Sequence, residues 1–212
     1  MSSEDISEMY CNGKYSFILL KSSNTVISNG NFGDFLFDQT QEEFVEVSEL
    51  RDLQIESMAC CSSCALFLSN DGMVYSFGID KGRFGLLGSG DCFEFLRPKT
   101  LDTLYNFTIR TLSISETHAC ATDLRGKLYT WGTGTQGQLG HGPSVTQCLT
   151  PQEVMCTTQF RITSAIATPT STLFHCAHEW MFGHIYMNST LFLNLIDAYT
   201  YCKNFISLIS GG

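Results

Sequence analysis

Shifted by 54 residues, the chain matches itself without a gap: residues 63–78 (SCALFLSNDGMVYSFG) fall over residues 117–132 (THACATDLRGKLYTWG). Asp71-Gly72 lies over Arg125-Gly126, Val74-Tyr75 over Leu128-Tyr129, and Phe77-Gly78 over Trp131-Gly132. The glycine-rich stretches that follow, residues 78–90 and 132–142, align once two residues are skipped. A proline comes after each, Pro98 and Pro151. A unit that recurs at a fixed period cannot bury its apolar face alone and must stack on its neighbours. The fold is therefore restricted to a repeat array.

Two weaker copies flank this pair. Residues 15–30 (YSFILLKSSNTVISNG) end 48 residues before Gly78, with the glycine block reduced to Gly30 and Gly33. A fourth copy starts at residues 160–167 (FRITSAIA) and reaches Gly183, 51 residues after Gly132, with no second GQLG block behind it. The chain divides accordingly into residues 1–56, a degenerate first repeat with an acidic linker; 57–108, the second; 109–159, the best-matching third; and 160–212, a degenerate fourth with a divergent apolar end. Inside a unit, residues 65–69 and 73–77 flank Asn70-Asp71-Gly72, a turn chemistry that closes hairpins. Residues 119–122 and 127–131 repeat this around Arg125-Gly126. Short strands with aromatic and glycine landmarks once per unit suit propeller blades. The expected class is all-β, a β-propeller-type array of three to four blades, with a helix allowed only from residue 185 onward.

Residues 65–78 and 119–142 closely resemble the repeat of the regulator of chromosome condensation family: a His-Ser/Thr-x-x-L strand, a D-G-x-V-Y-x-W-G hairpin and a G-Q-L-G-x-G turn. The third unit carries His118, Gly126, Tyr129, Trp131, Gly132, Gly137, Gln138, Leu139, Gly140 and Gly142 at those landmarks. The resemblance implies a propeller, usually of seven blades, of which this chain would supply an incomplete ring. Open blade edges of that kind invite self-association. It also implies a non-enzymatic protein–protein interaction module. The alternative is a guanine nucleotide exchange factor or regulator for a Ran-like small GTPase, the founding member's activity. No insertion between strands reads as the wedge such a factor uses.

Each chemical motif has a plainer reading. Gly132-x-Gly134-x-x-Gly137 spells a dinucleotide-binding pattern, which needs a helix behind it and an acidic residue about 20 positions on. The following Gln138-Leu139-Gly140-His141-Gly142-Pro143 is too rich in poor helix formers, and the next acid is Glu153. Those glycines read as turn punctuation. Cys60-Cys61-x-x-Cys64 lacks the second ligand pair that zinc requires, and the register sets Cys64 over His118, the histidine position of the repeat. His175, Cys176, His178 and His184 have no carboxylate or cysteine companion at ligand spacing. No nucleophile elbow, phosphate loop or carboxylate pair appears. The expectation is no catalytic residue, no cofactor and no metal.

The formal net charge is −9, from 12 basic and 21 acidic residues. That balance repels phosphate backbones and excludes nucleic acid as the expected partner, and it favours a basic protein or small GTPase. Asp34, Asp38, Glu42, Glu43, Glu46, Glu49, Asp52 and Glu56 form an acidic strip with one base, Arg51, fit either as a solvated loop or as a docking strip. The first ten residues, MSSEDISEMY, do not read as a signal peptide, and the apolar stretch 185–209 is broken by Asn188, Asn194, Asp197, Lys203 and Asn204, unlike a bilayer span. The expected setting is intracellular (cytoplasmic or nuclear), not secreted, without membrane contact, and with the ten cysteines as reduced thiols.

Overall fold

A computed structural model of the chain describes residues 6–11, 15–30, 43–90, 93–158, 160–176, 182–186 and 189–193. They form four antiparallel sheets of four strands, each following chain order. Blade 1 comprises β1 (Ile6–Cys11), β2 (Tyr15–Leu20), β3 (Thr25–Gly30) and β4 (Val45–Glu46). Blade 2 holds β5 (Ile55–Cys60), β6 (Cys64–Ser69), β7 (Val74–Ile79) and β8 (Glu94–Thr100). Blade 3 runs through β9 (Ile109–Ile114), β10 (His118–Asp123), β11 (Leu128–Thr133) and β12 (Gln147–Glu153). Blade 4 consists of β13 (Ile162–Ala167), β14 (Thr172–Cys176), β15 (Phe182–Tyr186) and β16 (Ser189–Leu193). The all-β, propeller-type expectation holds. At residues 189–193, where a helix was allowed, the chain is strand; residues 194–212 lie outside the described residues. Among the described residues no helix is long and apolar enough to cross a membrane.

The sheets stack in chain order, and the first strands of successive blades, β1, β5, β9 and β13, touch one another along the inner side. Three apolar clusters fill the junctions. Tyr15, Phe17 and Leu19 of blade 1 meet Ala65, Phe67 and Phe77 of blade 2. Leu66, Leu68 and Val74 of blade 2 meet Ala119, Ala121, Tyr129 and Trp131 of blade 3. Cys120 and Leu128 of blade 3 meet Ile162, Ala165 and Phe174 of blade 4. Because successive side chains of a strand point to opposite faces, β6 sends Ala65 and Phe67 one way and Leu66 and Leu68 the other. Both faces are covered, so β6 and β10 are buried end to end and read as continuous apolar or small runs rather than as alternation.

The outer strands accept proline. Pro98 and Pro151 lie in β8 and β12, where the pairing shifts between Ser76 and Gly78 and between Thr130 and Gly132. At such a bulge on an edge strand the missing N–H costs no ladder bond.

Candidate interaction surface

The hairpin turns come first, because they join the blades. Gly72 and Gly126 both have φ +86°, backbone that L side chains avoid. The Gly72 carbonyl accepts from Ile109 N at 3.0 Å, and the Gly126 carbonyl from Ile162 N at 2.9 Å. Each turn thereby holds the first residue of the next blade's inner strand. Blade 1 has Asn24 at this place, at φ +49°. Its side chain takes over the bond, accepting from Ile55 N and donating to Ile55 O, both at 2.8 Å.

The glycine blocks are a second set of latches, on the opposite face. Gly85, Gly88 and Gly90 have φ of +86°, +67° and +77°; Gly137, Gly140 and Gly142 have +80°, +73° and +97°. The two blocks thus share a conformation despite the two-residue difference in length. In blade 2 the buried Asp80 carboxylate organises the block by accepting from Phe84, Gly85 and Leu86 N–H at 3.1, 2.6 and 3.0 Å. Blade 3 then grips it. Trp131 Nε1 donates to Leu86 O at 2.9 Å, Thr133 Oγ1 to Phe84 O at 3.0 Å, and Gln147 Nε2 to Arg83 O at 2.7 Å. A Cβ on Gly88 would stand 3.0 Å from Trp131 Nε1 and 3.2 Å from Pro151. In blade 3 the corresponding carbonyl, that of Gln138, accepts from Thr172 Oγ1 of blade 4 at 2.8 Å. Gly132, Gly134 and Gly137 therefore serve strand pairing and turn geometry: Gly132 is the cross-strand partner of His118, and no helix follows.

His118 is fully buried. Its Nδ1 lies 3.1 Å from Ser115 Oγ and its Nε2 2.9 Å from Thr172 Oγ1. Burial holds its pKa down to about 4, so the ring is a neutral bridge between blades 3 and 4. Cys64 and Tyr15 occupy the same position in blades 2 and 1, each opposite a glycine or its equivalent on the third strand. Tyr15 also reaches the next blade, donating to the Cys61 carbonyl.

Cys60, Cys61 and Cys64 do not converge. Cys60 packs into the blade 1–2 cluster, Cys61 and Cys64 into the blade 2–3 cluster. The Cys61 and Cys64 thiols hydrogen-bond each other, which lowers the Cys61 pKa and, together with burial, raises that of Cys64. Among the described residues, Cys11, Cys60, Cys61, Cys64, Cys120, Cys148 and Cys176 are free thiols, and no three histidine, cysteine or acidic side chains share a metal-sized space. His175 turns to Thr163, Nδ1 to Oγ1 at 2.7 Å, while its neighbour Cys176 enters the blade 3–4 core. His178 and the His184 side chain lie outside the described residues.

The acidic strip is in part structured. Val45–Glu46 is the outer strand of blade 1, Val47 and Leu50 are buried, and Ile55 begins β5. Glu46 pairs with Arg51 at 2.6 Å, lowering the carboxyl pKa through that hydrogen bond, and Glu49 approaches Arg97 at 3.9 Å. Asp34, Asp38 and Glu42 lie outside the described residues. Sequence reasoning missed Glu8 and Tyr10 on β1, which face β5 across an open hollow.

Residues 125–174 match the family model of the regulator of chromosome condensation (RCC1) repeat. The chain carries an RCC1-type repeat. The matched unit straddles two blades, from the β10–β11 turn to β14, so the sequence repeat and the sheet are out of phase. The ultraviolet-B receptor UVR8 of Arabidopsis thaliana is 31% identical over 118 residues, 55% of this chain and 26% of that protein. The human X-linked retinitis pigmentosa GTPase regulator is 39% identical over 98 residues, 45% of this chain and 9% of that protein. Prp20p of Saccharomyces cerevisiae superposes with a TM-score of 0.66 at 17% identity, over 87% of this chain and 46% of that one. The chain thus spans less than half the length of each of these relatives.

Proposed function

We propose that this RCC1-type arc is a non-enzymatic protein–protein interaction module in an intracellular setting. One observation carries the reading: the glycine blocks, the part of the repeat that most resembles a ligand loop, are consumed in gripping the next blade. The turns between strands are thereby held on a rigid scaffold, where binding residues tend to sit. A net charge of −9 favours a basic protein partner over nucleic acid. The relatives point the same way, since the named ones include a receptor and a GTPase regulator.

Guanine nucleotide exchange on a Ran-like GTPase is the second reading. It draws on Prp20p, whose structure was described with its binding to Gsp1p and histones. An exchange factor works only through higher affinity for the nucleotide-free GTPase than for the loaded one. The deciding experiment is release of fluorescent GDP from a Ran-like GTPase at micromolar protein. The module reading expects the spontaneous rate. A clear acceleration that disappears when one inter-strand turn is mutated would make exchange the better reading.

A further inference from the structure

Strand pairing aligns the four inner strands residue by residue. Glu8, Ser57, Thr111 and Ser164 are equivalent, standing opposite Leu19, Leu68, Thr122 and His175. Three blades thus carry a small hydroxyl residue there, and blade 1 alone a carboxylate. One step on, Met9 matches Met58, Leu112 and Ala165. At the next position Tyr10 matches Ala59, Ser113 and Ile166. The blade 1–2 junction is therefore the one that brings an acid and an aromatic ring to the inner side.

An open hollow of about 380 Å³ runs along these strands, lined by Glu8, Met9 and Tyr10 of β1 and by Met58, Ala59 and Cys60 of β5. Open to solvent, it suits a side chain laid along its wall rather than a buried small molecule. Glu8 Oε2 accepts from Met58 N at 2.8 Å, which fixes the carboxylate at the wall. Burial raises the Glu8 pKa, and the charge of nearby Glu56 raises it further. Both effects are relieved by a cation and worsened by an anion. Met58 and Tyr10, both packed on the blade 1–2 cluster, flank this acid. Methionine is adaptable, a tyrosine face attracts cations, and the methylenes of a long basic side chain lie readily along such surfaces.

Resting on the interaction-module reading, we propose that this hollow receives a lysine or arginine side chain of a protein partner, its charge meeting Glu8 and its stem lying along Met58 and Tyr10. Charge complementarity selects the occupant: an acidic chain, an acid unique to this junction, and apolar walls for an aliphatic stem.

The test is methyl NMR on protein labelled at the methionine methyls, with Met58→Ile assigning its signal among the seven. The probes are the peptides acetyl-Gly-Leu-Arg-Leu-Gly-amide, its lysine analogue, and its citrulline analogue, which keeps arginine's shape without the charge. The cationic peptides are expected to shift Met58 and to bind about tenfold more tightly than the citrulline peptide, the discrimination of one partly desolvated charge pair. Glu8→Gln, which keeps an oxygen for the Met58 N–H, is expected to erase that difference while leaving the other methyl signals in place. Equal binding of arginine and citrulline peptides, persistence of the difference in Glu8→Gln, or no shift at Met58 up to millimolar peptide each overturns the proposal. GDP release is unaffected by any of these outcomes, so failure here is distinguishable from failure of the module reading.

Discussion

His118 shows how one buried side chain ties blade packing to pH. Its folded pKa is held to about 4 against an ordinary 6.5, with burial as the cause. The unfolded chain takes up a proton as pH falls below 6.5, and the folded chain does not until about 4. This contribution to stability is therefore complete above pH 6.5 and is lost progressively down to about 4, by about 3 kcal/mol at full extent. Urea unfolding across that range is expected to show His118→Gln losing less stability than the parent by about that amount. Equal pH slopes would mean that the ring is protonated in the fold. Trp131 makes the complementary case for packing. It is fully buried at the blade 2–3 junction, equivalent to Phe77 at the blade 1–2 junction. Trp131→Ala should cost about 3–5 kcal/mol in the same assay, and a neutral effect would contradict its place in the core.

At the scale of the element, the hairpins separate two costs of a glycine. Gly72 and Gly142 both have positive φ, but a Cβ on Gly72 would stand 2.9 Å from Ile109 N in the next blade, whereas one on Gly142 meets nothing within 4 Å. Gly142→Ala should lose about 1–2 kcal/mol from backbone strain alone. Gly72→Ala should lose more, because blade 3 must also move; thermal unfolding of the two variants compares them, and equal losses would dismiss the latch. These hairpins were legible in the sequence because Asn-Asp-Gly and Arg-Gly punctuate apolar runs at a constant spacing. Asn24 was not, since its side chain replaces a backbone carbonyl that no pattern records. Strand β1 was hidden too: its half-buried positions Ile6, Glu8 and Tyr10 include an acid, so no apolar alternation marks it, and a bulge between Ile6 and Glu8 breaks its register. The Glu8–Tyr10 hollow follows from that register, so it emerged only when the strands were paired.

At the scale of the molecule, the hairpin device recurs at the three junctions of the described residues and the glycine block at the later two. The hairpin turn clasps Ile55, Ile109 or Ile162 on one face, and the glycine block is gripped from the next blade on the other. The central claim is that the glycine blocks are interblade latches and not ligand loops. It is tested most directly by hydrogen exchange of the Trp131 indole N–H, followed by NMR in a Trp180→Phe background that leaves one indole signal. A proton bonded to Leu86 O across a packed junction exchanges only when the blades separate. The account predicts slow exchange, tracking the stability of the junction and unchanged by millimolar NAD or GTP. Rapid exchange, or a clear change in its rate when nucleotide is added, would contradict it.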